Sequence, residues 1–134
     1  MKNRIELVKE WLLKAEHDLK AAQKLLNSEE NLNDIVCFHC QQAAEKYLKA
    51  YMVYLGIRPP KTHEIGYLIT MIEEKDNKIA SLKERADILT DYAVEVRYPE
   101  DFFMPSDEET KCKDAFWIRS VLTTVFTSAS ISPR

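Results

Sequence analysis

The sequence predicts an all-α protein: an up-and-down antiparallel helical bundle, with four long helices plus one short helix in a single domain of residues 1–134. Only 2 glycines and 5 prolines among 134 residues leave few positions for the turns of a β architecture. Long stretches rich in Ala, Leu, Glu and Lys favour helix. A hydrophobic fraction of 46% beside 31% charged residues is typical of a globular chain.

The first two helices follow from apolar spacing and from the residues that begin and end helices. Residues 3–26 carry apolar side chains at steps of three and four, which places them on one face of a helix. That face consists of Val8, Leu12, Ala15, Leu19, Ala22 and Leu26, widened by Trp11 and Leu25. The second helix is predicted at residues 34–55, with Asp34 as its N-cap and Gly56 as the left-handed residue after its end.

The connector at residues 56–61 is stiff because it holds two consecutive prolines, and each proline restricts its own φ and the residue before it. We predict a short third helix at residues 63–74, which Thr62 caps. A long fourth helix is predicted at residues 78–96, and Pro99 breaks the chain after it.

The fifth helix is predicted at residues 107–128. Ser106 followed by Glu109 has the form of a capping box, in which each side chain accepts from the other residue's backbone N–H. Because the connections between successive helices are short, neighbouring helices are expected to run antiparallel.

Charge and hydropathy exclude some classes of function. A net charge of −3 argues against a broad basic surface for nucleic acid, although it leaves room for a local basic patch. No segment has the pattern of a secretion signal, and none approaches the roughly 20 apolar residues that span a bilayer. We therefore expect a cytoplasmic protein with no membrane contact.

The chain has three cysteines, Cys37, Cys40 and Cys112, and an odd number without a secretion signal fits a reducing compartment better than a disulfide framework. Cys37 and Cys40 form a C-x-x-C pair, but a structural zinc site needs a second ligand pair, and the sequence has none. Both cysteines lie on the apolar side of the second helix. We interpret them as buried thiols, and we expect neither a metal nor a cofactor.

The second helix is the segment most clearly marked for function. At 100° per residue, its apolar side chains fill an arc of roughly 160°, which is wider than a surface helix needs. The other side carries His39, Gln41, Gln42, Glu45, Lys46 and Lys49. Phe38, Met52 and Val53 stand among these polar residues, and exposed apolar groups in a polar face are typical of an interface. We therefore predict a homodimer that uses Phe38, Met52 and Val53.

The polar side of this helix has two interpretations. Glu45 and Lys49 form an i,i+4 pair, and a solvated face explains such a pair without a ligand. Alternatively, Gln42, Lys46 and Lys49 supply hydrogen-bond donors for a phosphate or nucleotide, with Glu45 beside them. The sequence leaves this choice open.

Arg97 is a further candidate ligand-binding residue. Continuing the predicted fourth helix places it on the apolar side, and an inward arginine needs an anion because an unpaired buried charge is costly. Asp18, Glu45 or Asp91 supplies that anion within the chain, or a ligand phosphate or RNA backbone supplies it.

Four blocks of the chain, in order, resemble the HEPN domain family. They are the Trp11-Leu12, Ala15-Glu16, Asp18-Leu19 and Ala21-Ala22 series, the block Cys40-Gln41-Gln42-Ala43-Ala44-Glu45-Lys46-Tyr47-Leu48-Lys49-Ala50, Thr62-His63, and Arg97-Tyr98-Pro99. The resemblance implies four long helices with a shorter extra one, and usually a dimer. It also implies nucleotide binding beside a minimal nucleotidyltransferase, often in modules of the toxin–antitoxin type.

Catalytic members of that family resemble one another in an Arg followed after four to six residues by His, which together cleave RNA without metal. Arg97 matches the arginine. The positions of the histidine hold residues that transfer no proton, namely Phe102, Phe103 and Met104. Arg58 and His63 match the spacing but precede the short third helix, so we interpret that match as coincidence and His63 as a capping residue.

Two hypotheses follow. The first is a nucleotide-binding or regulatory partner of a nucleotidyltransferase, not itself an enzyme, with Gln42, Glu45, Lys46, Lys49 and Arg97 as ligand-binding residues. The alternative is a metal-independent endoribonuclease, a toxin, in which Arg97 works with His63 or Glu45 as a non-standard base. The missing histidine favours the first.

Overall fold

The computed structural model describes residues 2–83, 104, 106, 113–129 and 131. All of its regular elements are helical, and the all-α bundle is confirmed. The elements are α1 (Arg4–Leu26), α2 (Asn33–Tyr54), α3 (Ile65–Glu73), a 3-10 helix η1 (Asn77–Leu82) and α4 (Lys113–Ser128).

Helix α1 begins and ends where its sequence predicts. Asn3 is the N-cap, and its side chain accepts a hydrogen bond from the backbone N–H of Glu6 at 2.9 Å. The predicted apolar face is buried over Val8, Leu12, Ala15, Leu19 and Ala22. Leu26, by contrast, is exposed. The prediction therefore extended the buried face one turn too far.

Helix α2 differs from its prediction at the start and agrees at the end. Leu32, not Asp34, occupies the N-cap position, and no side chain caps the helix there. At the other end Gly56 has φ +81°, as predicted. The N–H of Ile57 reaches the carbonyl of Met52 at 2.8 Å, and that of Gly56 reaches Val53 at 3.0 Å. These two bonds form a Schellman motif.

The third predicted helix is shorter than expected. Helix α3 begins at Ile65, with Glu64 as N-cap and no side-chain cap. Thr62 instead accepts from the backbone N–H of Glu64 at 3.2 Å, which makes a turn before the helix.

The predicted fourth helix begins as the 3-10 helix η1, whose Ile79 and Leu82 are buried. Residues 84–96 of that prediction lie outside the described residues. The last helix ends at Ser128, as predicted, and is described from Lys113.

Helix α2 is the centre of the described bundle because it contacts α1, α3 and α4. Its apolar arc is buried or half-buried throughout. Met52 and Val53, on its predicted polar side, are buried in the same core. The helix is therefore covered nearly all round. No helix among the described residues is long and apolar enough to cross a membrane.

Candidate functional site

The predicted polar side of α2 is largely buried. Gln41, Glu45 and Lys49 stand at steps of four on this helix, so their side chains form one row, and all three are buried. The polypeptide that enters α3 covers them, since the Gln41 amide donates to the backbone carbonyl of His63 at 3.1 Å. The interpretation of these residues as a solvated face is therefore wrong.

Glu45 is the centre of this row. Lys49 Nζ donates to its Oε2 at 3.2 Å, and His63 Nδ1 lies 2.8 Å from its Oε1. Gln41 Nε2 lies 3.5 Å from the same Oε1. The Lys49 ammonium also lies 5.5 Å from the centre of the Trp11 ring, within the range of a cation–π contact. We call these five residues, Trp11, Gln41, Glu45, Lys49 and His63, the Glu45 network.

The Glu45 network satisfies its own buried groups. Among the described residues, no buried side-chain nitrogen or oxygen lacks a hydrogen-bond partner. A buried carboxylate is stable only with such partners, because its desolvation costs several kcal/mol. Glu45 and Lys49 are thus committed to holding α2 against the start of α3, and neither is free to receive a ligand.

His63 is the member of the network that reaches solvent. Its side chain is 55% exposed, whereas that of Glu45 is 4% exposed. Because Nδ1 faces the carboxylate, the imidazole carries a hydrogen there. Nε2 is then a hydrogen-bond acceptor in the neutral ring, as a general base requires, and a donor in the imidazolium, as a phosphate requires. Nε2 bonds to none of the described residues, so it is available to a ligand.

Two further cations precede His63 in the connector. Arg58 and Lys61 are both exposed, and neither forms an ion pair with another residue in the described part of the chain. Pro59 and Pro60 separate them and restrict the backbone between them. We call Arg58, Lys61 and His63 the connector cluster.

Lys46 and Gln42, the other two ligand-binding candidates predicted on α2, also bond to residues of their own chain. Lys46 forms an ion pair with Asp18 on α1, and the other carboxylate oxygen of Asp18 lies 2.9 Å from His39 Nδ1. Gln42 donates to the side-chain oxygen of Gln41 at 2.8 Å. The Asp18 contacts therefore tie α1 to α2, away from the connector cluster.

The structure brings Glu45, Lys49 and His63 together, with Gln42 hydrogen-bonded to Gln41 of the same network, whereas Lys46 pairs with Asp18. Arg97 lies outside the described residues. The expectation that Met52 and Val53 are exposed for a partner is wrong, because both pack inside their own chain. Phe38 is half-buried and meets the His39 ring edge-on.

Sequence reasoning missed the roles of Gln41 and Trp11 and the pairing of Glu45 with His63. These two residues are 18 positions apart, and no periodic pattern relates them. A helical wheel gives the direction of Glu45 but not the segment that lies there.

The cysteine interpretation is half correct. Cys37 is a buried thiol outside any disulfide, as expected. Cys40 is disulfide-bonded, so the expectation that it is a thiol is wrong. Sequence spacing does not show which cysteines meet in space, and that is why the bond was missed. Within the described ranges, no three His, Cys, Asp or Glu side chains are grouped to hold a metal.

The described part of the chain is thus a helical bundle whose central helix carries a buried ion-pair network and whose connector exposes two cations. The model of the HEPN domain family matches residues 8–121. The chain belongs to the HEPN domain family. No curated protein and no solved structure matches the chain significantly.

Proposed function

We propose that this HEPN domain binds a nucleotide through its phosphates at the connector cluster. We propose further that it acts in the cytoplasm as the regulatory partner of a minimal nucleotidyltransferase, in a two-component module of the toxin–antitoxin type. The observation that carries the binding proposal is the exposed His63 imidazole, held 2.8 Å from buried Glu45 and preceded by two exposed cations. The partnership rests on family membership.

The chemistry of the connector cluster suits a phosphate. Arg58 presents a planar fork of donors that matches two phosphate oxygens, and Lys61 adds a mobile point charge. The two prolines and the Glu45 contact restrict the connector before binding, so less conformational entropy is lost when the ligand arrives. This proposal moves the phosphate site from α2 to the connector, because Gln42, Lys46 and Lys49 of α2 already bond within the chain.

Titration with ATP, followed by backbone amide NMR, tests the binding proposal. We expect shifts concentrated at residues 57–64. Arg58→Ala and His63→Ala are each expected to weaken binding roughly tenfold, because each removes a charge-assisted hydrogen bond of about 1.5 kcal/mol. Lys75→Ala is the matched control, since Lys75 is an exposed lysine after α3.

Shifts elsewhere, or equal loss of affinity in Lys75→Ala, would contradict the connector cluster as the site. Co-expression with a minimal nucleotidyltransferase from the same genome tests the partnership separately. We expect the two chains to purify together, and failure to associate would leave nucleotide binding without its proposed partner.

A homodimer remains part of the proposal. Of the three predicted interface residues only Phe38 keeps partial exposure, so Phe38→Asp is the informative variant. Sedimentation velocity is expected to show a dimer for the natural chain and a weaker one for the variant. A monomer at every concentration would refute the dimer.

A second candidate function is a metal-independent endoribonuclease, and the Glu45–His63 contact is the observation that favours it. A carboxylate that orients one imidazole nitrogen while the other faces solvent is the arrangement of a general acid–base histidine. His63 takes the proton of an RNA 2′-hydroxyl as that oxygen attacks the neighbouring phosphorus, and returns it to the departing 5′-oxygen. Arg97, as predicted from the sequence, stabilises the charged phosphate.

Cleavage of RNA in the presence of a metal chelator tests this second function. We expect His63→Ala and Arg97→Ala to lower the rate by about 100-fold or more, while Lys75→Ala leaves it unchanged. Cleavage that survives both substitutions would come from a contaminant. Absence of cleavage by the natural chain would leave nucleotide binding as the function.

A further inference from the structure

A cavity of about 420 Å³ lies between α1, α2 and α4, on a different side of α2 from the Glu45 network. Tyr47, which lines it, is two residues from Glu45 and therefore points about 200° away around the helix. The volume falls within the range of pockets that hold small molecules. None of the connector cluster lines this cavity.

One end of the cavity is polar and carries a shared carboxylate. Glu16 Oε1 accepts from the Tyr47 hydroxyl at 2.6 Å and from Arg119 Nε at 2.9 Å. Burial, and then the hydrogen bond and charge of Glu16, raise the pKa of Tyr47, so this hydroxyl stays protonated as a donor. These two bonds fix Glu16 and Arg119 in place at the edge of the cavity.

Arg119 has donors to spare. Burial acts to lower its pKa, but the hydrogen bond and charge of Glu16 outweigh that effect, so the guanidinium remains charged. Its Nε donates to Glu16 and the guanidinium also interacts with the Tyr47 hydroxyl, so the described residues engage only part of its five N–H donors. Lys20, exposed beside it, forms no ion pair within the described ranges. Two cations against one engaged carboxylate give this end a net positive charge.

The other end of the cavity is apolar. Its wall is formed by Leu12, Leu13, Phe126 and Ile131. Three of these, Leu12, Phe126 and Ile131, are buried side chains of the core, so the wall is close-packed from behind. A ligand that matches both ends has an anionic head and an apolar body.

We propose that this cavity is a second binding site, for a small organic acid whose carboxylate meets Arg119 and Lys20 and whose apolar body packs on Leu12 and Phe126. A planar carboxylate fits the paired NH₂ groups of an arginine in two parallel hydrogen bonds. A cation is disfavoured, because the Glu16 oxygen nearest Tyr47 and Arg119 already accepts two hydrogen bonds. The site is independent of nucleotide binding at the connector cluster.

Three probes test the two ends of the cavity separately. 4-Phenylbutyrate has both the carboxylate and the apolar body. 4-Phenyl-1-butanol lacks the charge, and acetate lacks the apolar body. Calorimetric titration is expected to show phenylbutyrate binding at least tenfold more tightly than either of the others. Equal binding of the acid and the alcohol would overturn the anionic head. Absence of binding by all three would overturn the site.

Two variants locate the probe. Thr123→Phe places a ring at the cavity wall and is expected to abolish binding, while Thr124→Phe on the neighbouring exposed position leaves it unchanged. Arg119→Gln is expected to lower the affinity for phenylbutyrate at least tenfold and to leave the affinity for the alcohol unchanged. Unchanged binding in Thr123→Phe would place the probe elsewhere and refute the proposal.

His63→Ala is expected to leave phenylbutyrate affinity unchanged, and ATP is not expected to compete with it. Loss of the probe in His63→Ala would mean that the two sites are one, which would overturn this inference while leaving nucleotide binding intact.

Discussion

Glu45 and Glu16 are two carboxylates that each hold helices together, yet their surroundings differ. The Glu45 side chain is 4% exposed, and its partners Lys49 and His63 come from α2 and the connector. The Glu16 side chain is 20% exposed, and its partners Tyr47 and Arg119 come from α2 and α4. Each carboxylate accepts hydrogen bonds from side chains on two different segments of the chain.

The difference separates two ways of building a site. Around Glu45 every buried donor is used, so a ligand meets only the exposed edge of His63 and the cations beside it. Around Glu16 the described residues leave part of the Arg119 guanidinium unbonded next to an open cavity. A ligand in that cavity therefore meets Arg119 directly. Burial decides this, because a buried ion pair is too costly to dissociate for a ligand.

The largest effect is expected when Glu45 is removed. Glu45→Ala leaves the buried Lys49 ammonium without its carboxylate, and we expect a loss of about 3–5 kcal/mol in the free energy of unfolding. Urea denaturation followed by circular dichroism measures it. Glu16→Ala, which strands the Tyr47 hydroxyl, is expected to lose about 1–2 kcal/mol.

Glu10→Ala completes this series as the control, because Glu10 pairs with Lys2 on the exposed side of α1. We expect a change within about 0.5 kcal/mol. A loss in Glu16→Ala as large as that in Glu45→Ala would show that exposure does not separate the two carboxylates.

Alkaline titration distinguishes buried tyrosines from the rest of the chain. Burial, then the hydrogen bond and charge of Glu16, raise the pKa of Tyr47 above its ordinary value of 10.0, and burial with Asp76 does the same for Tyr51. Above pH 10 the unfolded chain releases protons that the native chain retains. The free energy of unfolding is therefore fully supported below pH 10 and falls as pH rises further, by up to about 1.4 kcal/mol per unit for Tyr47.

Tyr47→Phe is expected to flatten that fall between pH 10 and 11, as measured by urea denaturation at stepped pH. An equally steep fall in the variant would assign the alkaline sensitivity to other groups.

Glycine at the end of α2 permits a smaller test. Gly56→Ala is expected to destabilise the chain by about 1–2 kcal/mol, because φ +81° is unfavourable for an L side chain. The added Cβ meets only Arg4 Nη1 at 3.8 Å, an ordinary contact, so the cost is conformational. Thermal unfolding measures it, and no change would show that the connector relaxes to another backbone conformation.

Replacing the buried pair by apolar groups is expected to have the smallest effect on stability. The double variant Glu45→Leu with Lys49→Met removes both charges together, and we expect a change within about 1 kcal/mol. Because His63 then loses its carboxylate, nucleotide affinity is expected to fall several-fold while the fold persists. Retained affinity would show that Glu45 does not position His63.

Local features of the sequence predicted much of the fold. The apolar face of α1 and the C-terminal glycine of α2 depend on contacts within a few residues, and both were correct apart from Leu26. The predicted N-cap of α2 was wrong, because Leu32, two positions before Asp34, occupies it and makes no side-chain capping hydrogen bond. The Asn31 side chain instead accepts from the backbone N–H of Asn33 at 3.2 Å, just before the first turn.

The candidate site was predictable only in its residue types. The sequence alone determined that α2 is the central helix and that Gln41, Glu45 and Lys49 lie on its polar side, because helical geometry sets side-chain direction. Only the tertiary structure decided that the connector covers this row, that His63 lies on Glu45, and that Glu16 meets Arg119 from 103 residues away. The physical reason is that a sequence pattern specifies which way a side chain points, whereas its burial and its partner depend on which distant segment packs there.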